Sequence, residues 1–426
     1  MNDISDYTND IHQGDAADTL AEIPDSSVHM VMTSPPYFGL RDYGHENQIG
    51  LEDELDAYIE ELVGVFREVR RVLRPDGSAW LNLGDSYAGG GGMAGVPDDH
   101  ESKTVDHSGD GQPDESPLRS TSFGRKNKML VPHRVAIALQ DDGWVVRNDV
   151  TWVKPNPMPS SVKDRLNTTT EQIFHLTPNP DYWYDLDAIR EPYQENTKAR
   201  AERGLAEGHK LEDSAPGQSK HSIHQPADEQ GGLHPAGKNP GDVFEVTTKP
   251  FPEAHFAVYP PELVETPLKA TCPPTVCAEC GSPYEREVER TTYSGEYGIE
   301  DEEATKTREE AVEEHKDNPD GYGSAKGRNL GGRQYRKWKR NNPDEFKGWT
   351  PTCDCDTDAT EAGIALDPFA GAGTTLLKAK ELGRKFVGIE LNAKYADMAR
   401  ARVGIDVHNP ANIRGDDNQS GLEAYE

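Results

Sequence analysis

The sequence predicts an α/β protein with a doubly wound, mostly parallel sheet, because strands and helices alternate in three of its segments. Residues 363–403 show the pattern of strand, helix, strand and helix. Residues 55–73 place apolar side chains at helical spacing and lead into the apolar run Ser78–Leu83, which is typical of a buried strand. Residues 11–37 show strand, short helix and strand. Such alternation builds parallel sheets.

The remaining elements follow from the same two periodicities and from turn residues between them. In chain order, the further predictions are a helix over Val131–Gln140, strands over Val145–Val153 and Gln172–Leu176, a strand over Gly363–Leu366, a helix over Thr374–Leu382, a strand over Lys385–Glu390 and a helix over Asn392–Val403. Three polar stretches without a clear period separate these elements, at about 89–128, 191–250 and 287–347.

The composition predicts one good core with long polar excursions. Only 34% of the 426 residues are hydrophobic, and the mean hydropathy is −0.82. The chain has no apolar leader segment at its N-terminus and no stretch long enough to span a bilayer. We therefore expect a cytoplasmic protein with no membrane partner.

The charge is strongly acidic, with 76 Asp and Glu against 45 Lys and Arg and a net charge of −31. Proteins that bind nucleic acid are usually basic, so either the partner is not nucleic acid or the protein works in concentrated salt. At about 1 M salt, charges are screened within roughly 3 Å. Because the acidic residues are spread along the chain, we favour the cytoplasm of a halophile.

One short motif ends the first apolar run, at Thr33-Ser34-Pro35-Pro36-Tyr37. The two prolines fix φ and remove two backbone donors, which leaves carbonyl groups pointing outward. The Ser34 hydroxyl adds an acceptor and Tyr37 adds a flat face. The motif predicts a rigid pocket for a flat base with an exocyclic amine, and the plain alternative is a strand that ends in a proline turn.

A second motif, Asp367-Pro368-Phe369-Ala370-Gly371-Ala372-Gly373-Thr374-Thr375, joins a predicted strand to a predicted helix. Small residues let a ligand approach the backbone, and the helix N-terminus offers free N–H groups. Glu390 ends the next strand, where an acid suits a ribose diol. The chain has no Walker lysine and no complete Gly-x-Gly-x-x-Gly. An adenosine ligand without pyrophosphate therefore fits better than NAD or ATP.

With the proline motif preceding the glycine motif, the chain resembles the permuted β-type DNA amino-methyltransferases, which modify N4 of cytosine or N6 of adenine. The resemblance implies a Rossmann-like fold that binds S-adenosylmethionine. It implies that Asp15 faces the adenine and that Phe256, in the segment His255–Pro260, closes the methionine end. The other cofactor residues that it implies are Asp367, Phe369, Gly371, Gly373, Thr374, Thr375 and Glu390.

The same resemblance assigns the catalytic role to Ser34, Pro35, Pro36 and Tyr37. The Ser34 hydroxyl and the Pro35 carbonyl would accept protons of the base amine, and the methyl group would transfer in one in-line step. The base must be flipped out of the duplex and stacked on Tyr37. In this family Ser-Pro-Pro-Tyr is associated with cytosine N4, so we favour cytosine, with adenine N6 as the alternative. A non-catalytic nucleic-acid-binding regulator is a further hypothesis, which the intact motifs disfavour.

The cysteines predict a structural zinc site. Cys277 and Cys280 have the two-residue spacing of a zinc ligand pair, and Cys353 and Cys355 form a tighter pair beyond a long polar insertion. Four thiolates would close a zinc-ribbon-like subdomain. Scattered buried thiols are the alternative, and Cys272 is a spare.

Duplex DNA is the expected partner, with a cognate restriction endonuclease as a further one if the protein belongs to a restriction–modification system. Basic side chains that we predict to contact phosphate are Arg41, Lys154, Arg165, Arg333, Arg336, Lys337 and Arg340. A solvated charged face is the default explanation for the last four. Target recognition could instead lie in residues 191–250 or 89–128.

These motifs divide the chain into six predicted parts. They are a catalytic half with the base pocket at 1–190, a polar insertion at 191–250, a cofactor-closing segment at 251–271, the zinc-ribbon-like insertion at 272–356, the cofactor-binding half at 357–410 and a tail at 411–426.

Overall fold

A computed structural model of the chain describes residues 3–40, 48–89, 122–197, 234, 236–249, 258–289 and 345–409. The chain divides into two compact units. The first comprises Met1–Ile189, Gly241–Tyr284 and Pro351–Glu426, and the second comprises Arg190–Pro240 and Glu285–Thr350.

Twelve strands occur within the described ranges. They are β1 (Asp10–Gln13), β2 (Val28–Thr33), β3 (Leu73–Leu83), β4 (Val145–Val153), β5 (Thr170–Thr177), β6 (Val243–Glu245), β7 (Val276–Cys277), β8 (Tyr284–Glu289), β9 (Glu345–Pro351), β10 (Thr360–Glu361), β11 (Ile364–Asp367) and β12 (Lys385–Glu390).

Eight of these strands form the central sheet of the first unit, in the order β1-β12-β11-β2-β3-β5-β4-β6. All neighbours are parallel except at β5, which runs antiparallel to both β3 and β4. This confirms the predicted α/β class with a mostly parallel sheet. The order places β11, from the C-terminal part of the chain, directly beside β2.

Six helices cover the two faces of this sheet. They are α1 (Ala16–Glu22), α2 (Leu55–Val72), α3 (Val131–Asp141), α4 (Pro261–Thr271), α5 (Thr374–Glu381) and α6 (Ala393–Val403). Strand β2 shows the two faces in its own side chains. Val28 and Val31 pack in a core with residues of α1, α2 and α3, whereas Met30 and Met32 pack in a core with residues of α4, α5 and α6. Among the described helices, none is both long and apolar enough to cross a membrane.

The short strands β6 to β10 were not predicted, and two larger elements of the central fold also differ from the predictions. We expected Arg74–Gly77 to end the preceding helix before a strand at Ser78–Leu83, but β3 already begins at Leu73. Its pairing with β2 jumps from Leu73 to Ser78, so Arg74–Gly77 form an irregular insertion in the strand, where a proline is tolerated. Helix α4 was not predicted. Its prolines, Pro261 at the first turn and Pro267 inside, obscure a helical pattern.

The other four described strands form two smaller sheets. In the first unit, β7 and β10 form an antiparallel pair beside the cysteines. In the second unit, β8 pairs with β9, and the Arg286 guanidinium lies over the rings of Phe346 and Trp349, at 5.1 and 5.0 Å from their centroids.

Candidate active site

The two sequence motifs meet where β2 and β11 end. These strands are parallel neighbours, with Leu366 opposite Val31, so their carboxyl ends lie at one edge of the sheet. The Thr33 hydroxyl donates a 2.7 Å hydrogen bond to Asp367 Oδ1, across 334 residues of sequence. The proline motif and the glycine motif are therefore joined by a buried contact.

A cavity of about 180 Å³ opens between the two motifs. Its wall includes residues that we predicted for the base, for the cofactor loop and for the ribose. Nine predicted site residues line it, namely Asp15, Ser34, Pro35, Pro36, Tyr37, Phe369, Gly371, Thr374 and Glu390. The structure thus brings together residues from four separate segments of the sequence.

The glycine motif turns sharply at two positions. Gly371 and Gly373 have φ of 51° and 72°, a left-handed backbone that favours glycine. Gly373 is the N-cap of α5, and a Cβ there would lie 3.0 Å from the Cβ of Ala399. Gly373 therefore has a packing role, whereas the Gly371 backbone lies at the cavity.

Glu390 holds this loop from the neighbouring strand. Its Oε2 accepts a 2.8 Å hydrogen bond from the Gly371 N–H, and its Oε1 accepts a 2.9 Å bond from the Asn392 N–H. Burial raises the pKa of Glu390 to about 7, although the two backbone donors favour the ionised form. A ligand hydroxyl that donated to this carboxylate would compensate part of the burial cost.

Asp367 lies behind the loop and ties three segments. Besides the bond from Thr33, it accepts bonds from the Phe369 N–H at 3.1 Å and from the Tyr259 hydroxyl at 3.1 Å. Burial raises the pKa of Asp367 to about 6. The Tyr259 hydroxyl also contacts that of Thr375, which donates to the Met32 carbonyl at 3.0 Å.

Asp15 caps the first helix beside the cavity. Its Oδ1 accepts from the N–H groups of Ala17 and Asp18 at 2.8 and 3.1 Å, and Gly14 N–H donates to the Glu390 carbonyl at 3.1 Å. The predicted cofactor residue Phe256 lies outside the described residues. Its neighbour Tyr259 does line the cavity.

The base side of the cavity is a network of side chains. The Ser34 hydroxyl donates to the Tyr37 oxygen at 3.3 Å, and the Tyr37 hydroxyl donates to Glu171 Oε2 at 2.9 Å. Asn82 Nδ2 donates to the same three groups, at 3.3, 2.9 and 3.1 Å. Burial first, and then the charge of Glu171, raises the pKa of Tyr37 well above its usual value.

Packing holds Tyr37 and its turn in place. The Tyr58 hydroxyl donates to the Pro36 carbonyl at 2.9 Å. A Cβ added to Gly84 would lie 2.5 Å from Tyr37 Cε2, so the tyrosine ring lies directly against this glycine.

Two of the predicted DNA contacts lie on the hairpin β4–β5. Lys154 forms an ion pair with Glu171 and lies 4.4 Å above the Trp152 ring, so it belongs to the pocket network. Arg165 lies 3.9 Å from the Tyr87 ring centroid. The remaining predicted DNA contacts, Arg41, Arg333, Arg336, Lys337 and Arg340, lie outside the described residues.

The four predicted zinc ligands converge. The sulfur atoms of Cys277, Cys280, Cys353 and Cys355 all lie within 4.8 Å of one another. The turn that carries Cys280 is attached to the central sheet, because His29 Nε2 bonds the Gly281 carbonyl at 2.9 Å and Arg74 donates to the Cys280 carbonyl at 3.0 Å. Cys272 is buried apart from this cluster, and burial raises its pKa to about 12.

Two residues of the network around Ser34 and Tyr37 were missed from the sequence, namely Asn82 and Glu171, and Tyr259 was included only as part of the segment His255–Pro260. Asn82 did leave a signal, since it is the one amide within the apolar run Ser78–Leu83. Glu171 left none, because its position beside Ser34 depends on the pairing of β5 with β3.

Comparisons with known proteins agree with this geometry. Residues 28–276 and 358–401 match the family model N6_N4_Mtase, described as DNA methylase. The chain is 30% identical over 391 residues to the Type II methyltransferase M.SmaI of Serratia marcescens, an alignment that covers 92% of this chain and 89% of that protein.

Two further relatives match over shorter stretches. The Type II methyltransferase M.XycI of Xanthomonas campestris pv. cyanopsidis is 40% identical over 266 residues, which is 62% of this chain and 73% of that protein. M.SfiI of Streptomyces fimbriatus is 47% identical over 201 residues, and the match spans 46% of this chain and 43% of M.SfiI. With most of its length matching the family model, the chain belongs to the N6/N4 DNA methylase family.

Proposed function

We propose that the protein transfers a methyl group from S-adenosylmethionine to the N4 amine of cytosine in duplex DNA. The observation that carries this proposal is the shared cavity, which has the proline motif on one side and the glycine loop with Glu390 on the other. A donor and an acceptor held in one cavity gain most of their rate from positioning. Adenine N6 is the alternative acceptor.

The residues present fit S-adenosylmethionine. A buried carboxyl at Glu390 suits ribose hydroxyls, and the left-handed Gly371 leaves room for a ligand at the backbone. Asp15, Phe369 and Thr374 line the same space, while Asp367, Gly373 and Thr375 support the loop, and we keep Phe256 in the closing role. When bound, this cofactor supplies an electrophilic methyl group on a sulfonium.

Ser34, Pro35, Pro36 and Tyr37 would act on the base. The amine of cytosine is a poor nucleophile because its lone pair is delocalised into the ring. Hydrogen bonds from the amine to the Ser34 hydroxyl and the Pro35 carbonyl would turn the nitrogen toward sp³ geometry, and Tyr37 would stack against the flipped base. The resemblance of Ser-Pro-Pro-Tyr to the cytosine-N4 branch supports cytosine.

Sequencing that detects modified bases in DNA from cells expressing the protein tests this proposal. We expect N4-methylcytosine within one recognition sequence. N6-methyladenine would select the alternative base, and unmodified DNA that the protein nonetheless binds would favour the non-catalytic regulator. The same protein with Ser34→Ala provides the control.

We propose that the loop of the hairpin β4–β5 contacts DNA, with Lys154 as its first residue and Arg165 within it. Leu166 and Met158 in this loop are 90% and 67% exposed, so their side chains are accessible to a partner. We also propose phosphate contacts by five further side chains, namely Arg41, Arg333, Arg336, Lys337 and Arg340.

The Type II names of the relatives support a restriction–modification system with a cognate endonuclease.

We further propose that the cysteine cluster binds one structural zinc ion. A tetrahedral site with Zn–S bonds of about 2.3 Å needs sulfur atoms about 3.8 Å apart, which the 4.8 Å cluster accommodates. The purified protein should contain about one zinc per chain by elemental analysis, and Cys353→Ser should lose it and unfold at a lower temperature. The matched control, Cys272→Ala, should keep its zinc. A metal-free wild-type protein of unchanged stability would contradict the site.

The charge of −31 supports a protein that works in concentrated salt. Screening of self-repulsion should raise the temperature of thermal unfolding between dilute buffer and about 1 M KCl. Unfolding that is independent of salt would contradict this part of the proposal.

A further inference from the structure

We infer that Glu171 is a positioning residue that orients the hydrogen bonds of Ser34 and Tyr37 and receives the proton that leaves the base amine. The inference rests on the proposed function and adds a destination for the proton. Glu171 lies on β5, next to Asn82 of β3, and faces the proline motif through Tyr37.

The carboxylate determines the direction of each hydrogen bond in the network. An ionised carboxyl group only accepts, so the Tyr37 proton points to Glu171 across 2.9 Å. Tyr37 then has only lone pairs for Ser34, so the Ser34 proton points to Tyr37 across 3.3 Å. Asn82 must present its NH₂ group, because Nδ2 lies 3.1 Å from the same Glu171 oxygen.

With the protons directed in this way, the Ser34 oxygen keeps a lone pair that can accept a hydrogen bond from the base. A hydroxyl oxygen has two lone pairs, and Asn82 Nδ2 occupies one of them at 3.3 Å. Because the Ser34 proton is committed to Tyr37, the second lone pair is available to an N–H of the amine. The chain of hydrogen bonds then runs from the amine to Ser34, to Tyr37 and to Glu171.

The proton balance of the transfer follows from this chain. The amine nitrogen forms a bond to the methyl carbon while the carbon–sulfur bond breaks, and the sulfur leaves as a neutral thioether. The nitrogen, now positively charged, gives its proton to Ser34 Oγ. The Ser34 proton moves to the Tyr37 oxygen, and the Tyr37 proton moves to Glu171 Oε2. The products are a neutral methylated base and a protonated Glu171, which later releases its proton to water.

Among the residues that the structure describes, two titratable side chains contact Glu171. They are Lys154, which follows β4 and pairs with Oε1, and Tyr37 on Oε2. The ion pair places the positive charge of Lys154 directly beside the Glu171 carboxylate. A purely structural Glu171 would need only its bond to Lys154, and the bonds to Tyr37 and Asn82 would not affect the chemistry.

The test compares Glu171→Gln with wild type, using the full chain, duplex DNA carrying the recognition sequence and S-adenosylmethionine. A glutamine can donate toward Tyr37 and reverse the chain, and it takes up no proton. We expect kcat to fall about 100-fold, since general-base contributions are commonly about 10²–10⁴-fold. The Kd for S-adenosylmethionine should stay within about twofold, because Glu171 is absent from the cofactor side.

The pH profile separates this role from a structural one. In wild type, kcat should fall on the acid side as Glu171 becomes protonated, and this limb should disappear in Glu171→Gln. Glu171→Asp keeps the carboxylate and should recover part of the rate together with the acid limb. Glu361→Gln removes an exposed carboxylate paired with Lys385 and should leave both kcat and the profile unchanged.

The outcomes distinguish the inference from the proposed function. A wild-type protein that methylates DNA, with Glu171→Gln equally fast and keeping the acid limb, would overturn the inference and leave the function standing. A loss of thermal stability and cofactor binding in Glu171→Gln, with the acid limb kept, would also overturn it in favour of a structural role. A wild-type protein that methylates no DNA would overturn both.

Discussion

The two sides of the cavity are built in different ways. On the base side, besides the Pro35 carbonyl, the polar atoms belong to the side chains of Ser34, Tyr37, Asn82 and Glu171, which are bonded to one another. On the cofactor side, Glu390 accepts hydrogen bonds from two backbone N–H groups, that of Gly371 in the glycine loop and that of Asn392. A side-chain network can be changed one atom at a time, whereas a backbone N–H group is retained when a side chain is substituted. Changes on the base side should therefore alter kcat, and changes on the cofactor side should alter cofactor affinity.

The largest effect is expected for Ser34→Ala. Removing the acceptor of the amine proton should lower kcat about 100-fold, comparable to the loss of one donor in an oxyanion hole. The Kd for S-adenosylmethionine should not change, because Ser34 belongs to the base-side network. Transfer of labelled methyl groups to DNA and cofactor binding by calorimetry measure the two quantities. Ser5→Ala, in an exposed turn, is the control. Full activity in Ser34→Ala would contradict the assignment of catalysis to the base side of the cavity and of cofactor binding to the other side.

The second prediction concerns Glu390→Gln. Loss of charge-assisted hydrogen bonds should weaken the Kd for S-adenosylmethionine about 30-fold at pH 8, with kcat at saturating cofactor changed far less. In wild type the pKa of about 7 adds a pH dependence. The ionised carboxylate is the form that accepts hydrogen bonds, so affinity falls as pH falls, by about fourfold between pH 8 and 6.5.

The glutamine variant supplies its own control for that dependence. Since it does not titrate, its affinity should be flat over the same pH range, above the pKa of about 6 of Asp367. A variant whose affinity still fell with pH, or whose kcat fell together with its affinity, would show that Glu390 acts on the base side as well.

The smallest prediction concerns Gly84→Ala. The new methyl group would meet the Tyr37 ring at 2.5 Å from Cε2, so the ring must shift, and kcat should fall about tenfold while cofactor affinity stays the same. Gly64→Ala is the matched control, because a Cβ at Gly64 in α2 has nothing within 4 Å. In a helix this control should be slightly more stable and equally active. Unchanged kcat in Gly84→Ala would mean that the position of the ring is not critical.

The sequence predicted the motifs and most of the elements that carry them. The ends of β4 and β12 agree with the expected residues, and α5 and α6 agree within one residue, because each has a clear period and a clear boundary residue such as Gly373 or Asn392. Local signals of this kind suffice for a strand–turn–helix unit.

Local sequence patterns could not predict which side chains lie beside Ser34. Glu171 and Asn82 meet only because β5 inserts antiparallel beside β3, and strand order is a property of the whole sheet. Tyr259 reaches Asp367 across 108 residues. The roles of residues within a motif can be predicted from its chemistry, but the side chains that orient them come from distant segments.

The bond between Thr33 and Asp367 has a consequence for how such a gene can be arranged. The two motifs are held together by strand pairing between β2 and β11 and by this hydrogen bond. A rearranged gene that encodes residues 357–409 ahead of residues 3–289 would offer the same strands for the same pairing. The pairing of β2 with β11 therefore does not require the order that the two motifs have along the chain.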